Sequence, residues 1–153
     1  MKLARQSAGR FQYQLSEEEA QSLGLLVEQF PVGEHSRVKN SKADTAKDER
    51  EKLLNESLAA HRKELRLMAG DLIRPERFKT LGAGRLFSVT AEEREALLQI
   101  LNDIRVESWR LLGEPENVDM DVSSLPKEKL RYYVFMCLAG DFEFHFLTLQ
   151  DAK

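Results

Sequence analysis

The chain has 153 residues, 23 of them basic and 26 acidic, for a formal net charge of -3. Hydrophobic content of 42% beside 32% charged residues excludes a disordered chain and describes a helix-rich globular protein. The acidic balance gives no general attraction to nucleic acid or anionic lipid, no stretch approaches the roughly 18 apolar residues of a membrane span, and a single cysteine excludes an intramolecular disulfide.

In chain order, residues 10 to 15 alternate as a strand does, with Phe11, Tyr13 and Leu15 on one face. Ser16-Glu17-Glu18-Glu19 then reads as a capping box: Ser16 accepts from the first-turn amides and Glu19 reaches back. The helix it opens runs to about residue 30 and stops at Pro31. Residues 31–47 are polar, with Gly33, Ser36, Asn40 and Ser41 among Arg37, Lys39, Lys42 and Lys47, and are expected to form a flexible connection.

A second helix is predicted from near Asp44 or Asp48 to the break at Arg74-Pro75. Its apolar seam is Leu54, Leu58, His61, Leu65, Met68 and Leu72, at steps of four and three. Gly82 and Gly84 mark the turn into a second strand, which ends at Thr90. Thr90-Ala91-Glu92-Glu93 is a second capping box, opening a helix from 90 to about 112 that Gly113 closes. Leu97, Ile100, Leu101, Ile104, Ser108, Leu111 and Leu112 form its expected buried face. Ser123-Ser124-Leu125-Pro126 supplies a cap and a first-turn proline for a fourth helix. Residues 132–140 carry no charge, and Asp141-Phe142-Glu143-Phe144-His145-Phe146 alternates like a strand. Helix is favoured there, because Leu138, Phe142, Phe146 and Leu149 continue the preceding helix seam.

The chain therefore says nearly the same thing twice. Each half is a strand that enters a helix through a capping box, with half-repeats at about 9–75 and 84–150 of one domain, 1–153. The expected fold is α+β, mainly α: two strand-helix-helix halves, four helices and a short antiparallel two-stranded ribbon. A ribbon that small is marginal alone, so helices must cover one of its faces.

The third helix reads Leu97-Leu98-Gln99-Ile100-Leu101-Asn102-Asp103-Ile104-Arg105, then Leu111-Leu112-Gly113. This resembles the Leu-Asn-Asp-Leu-Arg segment of a bacterial domain-of-unknown-function family, most familiar from actinobacteria. The resemblance runs over most of the chain, with Phe144, Phe146 and Leu149-Gln150 in the place of that family's aromatic final helix. The tryptophans usual in that final helix and before the Leu-Asn-Asp are missing here. The resemblance implies a fold and little chemistry. Members are often encoded near the adaptor of the Clp protease, which implies a role around proteolysis.

Candidate site residues are few. Arg105 falls inside or beside the apolar stripe of its helix, where a buried guanidinium needs a partner, with Asp71, Asp141 or Glu143 as candidates. Asn102 borders the same face and is expected to satisfy a backbone group. His61 interrupts its seam as a hydrogen-bonded core residue would. Arg105, Asn102, His61 and Glu143 are the candidate ligand-binding set, at the junction of the halves. Glu143 and His145 flank Phe144 as an acid/base pair would on a strand, but two residues are not a site. Asp119-Met120-Asp121-Val122-Ser123 opens like a calcium loop, yet Ser124 stands where glycine is required and Leu130 where glutamate is. The basic residues from 37 to 47 lack interleaved aromatics for base stacking. Gly82-Ala83-Gly84 precedes a strand, whereas a dinucleotide loop follows one. Cys137 lies in an apolar run and is expected to be an inert buried thiol.

No catalytic set, metal site or cofactor is therefore expected. The expected function is a cytoplasmic, non-enzymatic interaction or regulatory module. It would work through a protein partner or as a homo-oligomer, with no nucleic acid and no membrane. Tyr132, Phe135, Phe142, Phe144 and Phe146 are the candidate interface. The alternative is a small-ligand or enzymatic site at the junction of the halves.

Overall fold

The computed structural model describes residues 1–33, 45–116 and 121–149. Most of the polar connection 31–47, and Asp119 and Met120 of the calcium-like stretch, lie outside the described residues.

The fold is α+β and mainly helical. Among the described residues the element order is β1 (Lys2–Ser7), β2 (Arg10–Ser16), α1 (Glu17–Glu28), α2 (Thr45–Leu72), β3 (Phe78–Leu81), β4 (Gly84–Thr90), α3 (Ala91–Leu111) and α4 (Lys127–Thr148), with short 3-10 turns at Pro75–Arg77 and Val122–Ser124. The two strands foreseen from the sequence, β2 and β4, pair antiparallel in unbroken register, Tyr13 opposite Phe87 and Ser16 opposite Gly84.

They are the centre of a four-stranded antiparallel sheet, order β1-β2-β4-β3, rather than a ribbon of two. The added strands are the outer arms of two hairpins. The first turns through Ala8 and Gly9, both at positive φ (46° and 75°), as a two-residue type I′ loop requires. The second turns at Gly82, φ 59°. At Gly84 the constraint is different: a Cβ there would run into the carbonyl oxygen of Leu15 on the neighbouring strand.

One face of the sheet is apolar. Phe11, Tyr13, Leu15, Phe87 and Val89 are buried, while Gln12, Gln14, Leu86 and Ser88 on the other face are half-buried. Helices α1, α3 and α4 cover the apolar face with Leu23, Leu26, Val27, Leu97, Ile100, Leu101, Ile104, Ala139, Phe142 and Phe146. α3 carries the buried face expected of it, except that Leu111 is only half-buried. α4 continues as a helix through residues 141–147.

Both capping boxes form. Glu19 N donates to Ser16 Oγ at 3.0 Å while Ser16 N donates to Glu19 Oε2 at 2.7 Å. Glu93 N donates to Thr90 Oγ1 at 3.1 Å while Thr90 N donates to Glu93 Oε2 at 2.9 Å. Each capping glutamate also holds a cation from outside its helix. The Met1 amino group lies 2.6 Å from Glu19, and Arg77 donates to Glu93 at 2.7 and 3.1 Å and to Asp71 at 2.6 Å. Gly113 closes α3 at φ 91°, with Glu114 N bonded to Trp109 O and Gly113 N to Arg110 O, the paired bonds of a Schellman motif.

The arginine buried in the core is Arg94, only 6% exposed. Its Nε donates to the Tyr13 hydroxyl at 2.9 Å, a second guanidinium nitrogen donates to the Phe146 carbonyl, and the group stacks 5.0 Å from the Phe11 ring centroid. Burial pushes the Tyr13 phenol above its ordinary pKa, against the pull of Arg94.

Three variants test these contacts. Arg94→Met leaves a buried hydroxyl and a buried helix-end carbonyl without their donor, so denaturant unfolding should show a loss of about 2–5 kcal/mol. Tyr13→Phe should cost less, because Arg94 keeps the carbonyl. Hydrogen bonds from Arg77 hold Glu93 below the usual carboxylate range, with the Thr90 amide helping. A carboxyl with a folded pKa below its unfolded value near 4.5 contributes stability above that pH and loses it as pH falls through the folded pKa. Glu93→Gln should therefore cost about 1–2 kcal/mol at neutral pH. The gap to wild type should close on acidification below about 4.5, measured by urea unfolding across pH.

Candidate functional site

The sequence-predicted polar set divides when placed on the fold. Asn102 and Arg105 are one turn apart on α3, and Arg105 donates to Asn102 Oδ1 at 2.8 Å and to Glu143 Oε1 on α4 at 3.4 Å. Glu143 is thus the partner among the three acids considered. Asp71 holds Arg74 and Arg77, and Asp141 lies 3.6 Å from His145. His61 stands apart from this trio, with its Nε2 3.0 Å from Gln99 Oε1.

Three expectations about burial change. Arg105 is not buried: its side chain is 44% exposed, because it leans out beside the seam while Leu101 and Ile104 fill it. His61 is exposed, since α2 is covered only from Leu65 onward. Cys137 is also exposed, on the outer side of α4, where Met136 and Ala139 take the inward positions. Asn102 serves Arg105 rather than a backbone group.

Arg105, Val106, Trp109, Pro115, Cys137 and Gly140 line a surface groove of about 590 Å³ between α3 and α4. Trp109 forms one wall, with its Nε1 donating to Pro115 O at 3.0 Å. The groove offers one guanidinium, the Glu116 carboxylate and one thiol on an apolar floor. The guanidinium can hold an anion weakly, against the opposing charge of Glu116, but the set lacks the nucleophile–base contact that acyl-transfer or hydrolytic chemistry needs. Glu143 and His145 do not face one way, because the segment is helical and His145 Nδ1 lies 2.7 Å from Asp141 O within its own helix. Among the described residues no group of three or more His, Cys, Asp or Glu is placed to hold a metal ion, and no helix is long and apolar enough to cross a membrane.

The aromatic set on α4 also divides. Phe142 and Phe146 belong to the core, Phe146 edge-on to Tyr13 with ring centroids 4.9 Å apart, so neither is available to a partner. Tyr132 and Phe135 are half-buried against the same core. Phe144 alone stands out, 62% exposed, next to exposed Leu147.

The larger uncovered apolar surface is on α2. This helix has 28 residues, yet every residue from 49 to 61 is exposed. Leu53 is 67% exposed, Leu54 60% and Leu58 46%. Beyond that stretch the helix docks on α3 through Arg62, which reaches Asp103 at 3.2 Å and the buried Glu107 at 3.7 Å.

No family model, curated protein or solved structure matches the chain.

Sequence reasoning missed two features, the buried Arg94 and the anchor at Arg62. Arg94 lies one turn before Leu97 on the α3 seam itself, whereas Arg105 is one step off it. Arg62 follows His61 on α2 and meets two acids on α3 that no local spacing links to it.

Arg105→Ala should change stability by no more than about 0.5 kcal/mol in thermal or denaturant unfolding, as expected for a half-exposed surface pair. Ser108 Oγ is fully buried and has no hydrogen-bond partner among the described residues. Ser108→Ala should therefore be neutral or stabilising by up to about 1 kcal/mol in the same assay.

Proposed function

We propose that the protein is a non-enzymatic interaction module whose docking face is the N-terminal half of α2. One observation carries this reading: Leu53, Leu54 and Leu58 lie uncovered on a helical stretch that no other described element contacts closely enough to bury. Isolated helices shorter than about 12–15 residues are marginal in water. A leucine-bearing helical arm that projects from a folded body gains stability by being covered. The exposed Phe144 and Leu147 on α4 are a smaller second patch.

The net charge of -3 favours a protein partner over nucleic acid. A reducing cytoplasm suits a chain with one exposed thiol and no possible internal disulfide. A link to proteolysis rests on the family resemblance of the α3 segment alone. The groove beside Arg105 and Trp109 supports a second reading, a weak site for a small anionic ligand. That reading requires Arg105→Ala to abolish a ligand-induced thermal shift in a screen of small carboxylates and phosphates.

The docking face has a direct test. Leu54→Ser/Leu58→Ser should leave the unfolding free energy of the isolated protein within about 0.5 kcal/mol of wild type. It should also remove partner capture. A large loss of stability in that variant means the leucines are covered within the isolated chain, and the reading is then wrong.

A further inference from the structure

The four strands carry Lys2, Arg5, Arg10, Lys79 and Arg85 and no Asp or Glu, in a chain whose acids outnumber its bases 26 to 23. Arg85 turns to the helix side and binds Glu17. The register puts the other four cations on the opposite face, which no described element covers. Lys2, Gln14, Leu86 and Lys79 form one row across the whole sheet. Arg5, Gln12 and Ser88 form the next row, and Ser7, Arg10 and Thr90 the third. All four cations are exposed. Among the described residues the side chains of Lys2, Arg5 and Lys79 have no ion-pair partner, and Arg10 acts on Glu93, which Arg77 already holds.

A β-bulge makes this arrangement. Strand side chains alternate, so residues three apart, such as Lys2 and Arg5, belong on opposite faces. The register shift between Leu3 and Arg5 cancels that rule: Leu3 stays opposite Tyr13 on the core side, and Arg5 comes opposite Gln12, on the face of Lys2. We propose that this face docks an extended acidic segment of a protein partner, laid along β1 and β2 with alternate carboxylates on Lys2, Arg5 and Arg10.

Spacing and chemistry choose the occupant. Successive rows on one face of a sheet lie about 7 Å apart, and an extended peptide repeats its same-side carboxylates at the same interval. Gln12, Gln14 and Ser88 offer neutral donors and acceptors suited to peptide groups. The aromatic side chains of the sheet, Phe11, Tyr13, Phe78 and Phe87, all lie on the helix side, so nucleic-acid bases would find no stacking platform. The surface is separate from α2, which packs on α1 and α3.

The test uses the full chain and a fluorescent peptide of about ten residues that alternates Glu with Thr, followed by anisotropy. Binding should weaken steeply from about 20 to about 200 mM salt, and a peptide with Gln for every Glu should bind at least about tenfold more weakly. Lys2→Glu and Arg5→Glu should each weaken binding about threefold to tenfold at about 100 mM salt, with urea unfolding showing that both stay folded. Lys79 stands about 14 Å across the sheet from Lys2, beyond the screening length at that salt, so Lys79→Glu should cost less than about twofold. Lys129→Glu, on α4, should leave binding unchanged. No binding of the acidic peptide at any salt, or equal binding by wild type and Lys2→Glu/Arg5→Glu, overturns the proposal. An oligothymidylate that binds more tightly than the peptide, and is lost in Lys2→Glu/Arg5→Glu, makes the face a nucleic-acid site and overturns it too. A loss in Lys79→Glu equal to that in Arg5→Glu overturns the placement along β1 and β2.

Discussion

Arg94 is the tie on which the packing of this fold depends. An arginine in a core is tolerated only when its charge and its donors are met, because an unpaired buried charge costs several kcal/mol. Here the guanidinium meets a hydroxyl on β2, a carbonyl in the last turn of α4 and the face of Phe11. The last carbonyls of a helix lack intrahelical donors and carry the negative end of the helix dipole. Arg94, near the start of α3, therefore serves the far end of α4. Three elements separated in sequence are fixed in one relative position, and Phe146 is drawn in against Tyr13 as part of the same contact.

The entrances to α1 and α3 extend the same logic to the sheet. A capping box is a local device that two side chains complete. In this protein each capping glutamate is used twice, once for its own helix and once for a cation from elsewhere: the Met1 amino group at Glu19, Arg77 at Glu93. A third pair, Arg85 on β4 with Glu17 at the start of α1, crosses between the two hairpin–helix units at 2.8 Å. Helix starts, sheet edges and the 3-10 turn before β3 are thus coupled through carboxylates that must stay ionised. Burial opposes ionisation of Glu19, and the Met1 amino group and the Ser16 amide outweigh it.

What was legible in the sequence was what is local. Ser16 with Glu19 and Thr90 with Glu93 sit three residues apart, so both helix starts could be read directly. Gly113 marked its helix end because only a residue tolerant of positive φ fits there. β1 and β3 were not legible. They are short and largely exposed, and they exist because β2 and β4 offer an edge to pair with rather than through any alternation of their own. Burial of polar residues was the least legible level. A helical wheel places Arg94 and Arg105 within one step of each other relative to the seam. Only the neighbouring elements decide that the first is enclosed and the second leans into solvent beside Glu143. Cys137 follows the same rule, because an apolar run on a helix still has an outer side.

α2 shows where periodicity stops being informative. Its seam is continuous from Leu54 to Leu72, and nothing in the spacing separates the part that meets its own body from the part that does not. The division comes from geometry. Leu65, Ala69 and Leu72 are buried, Arg62 is anchored by Asp103 and Glu107, and before that anchor no described element buries the helix. A seam states which side of a helix is to be hidden.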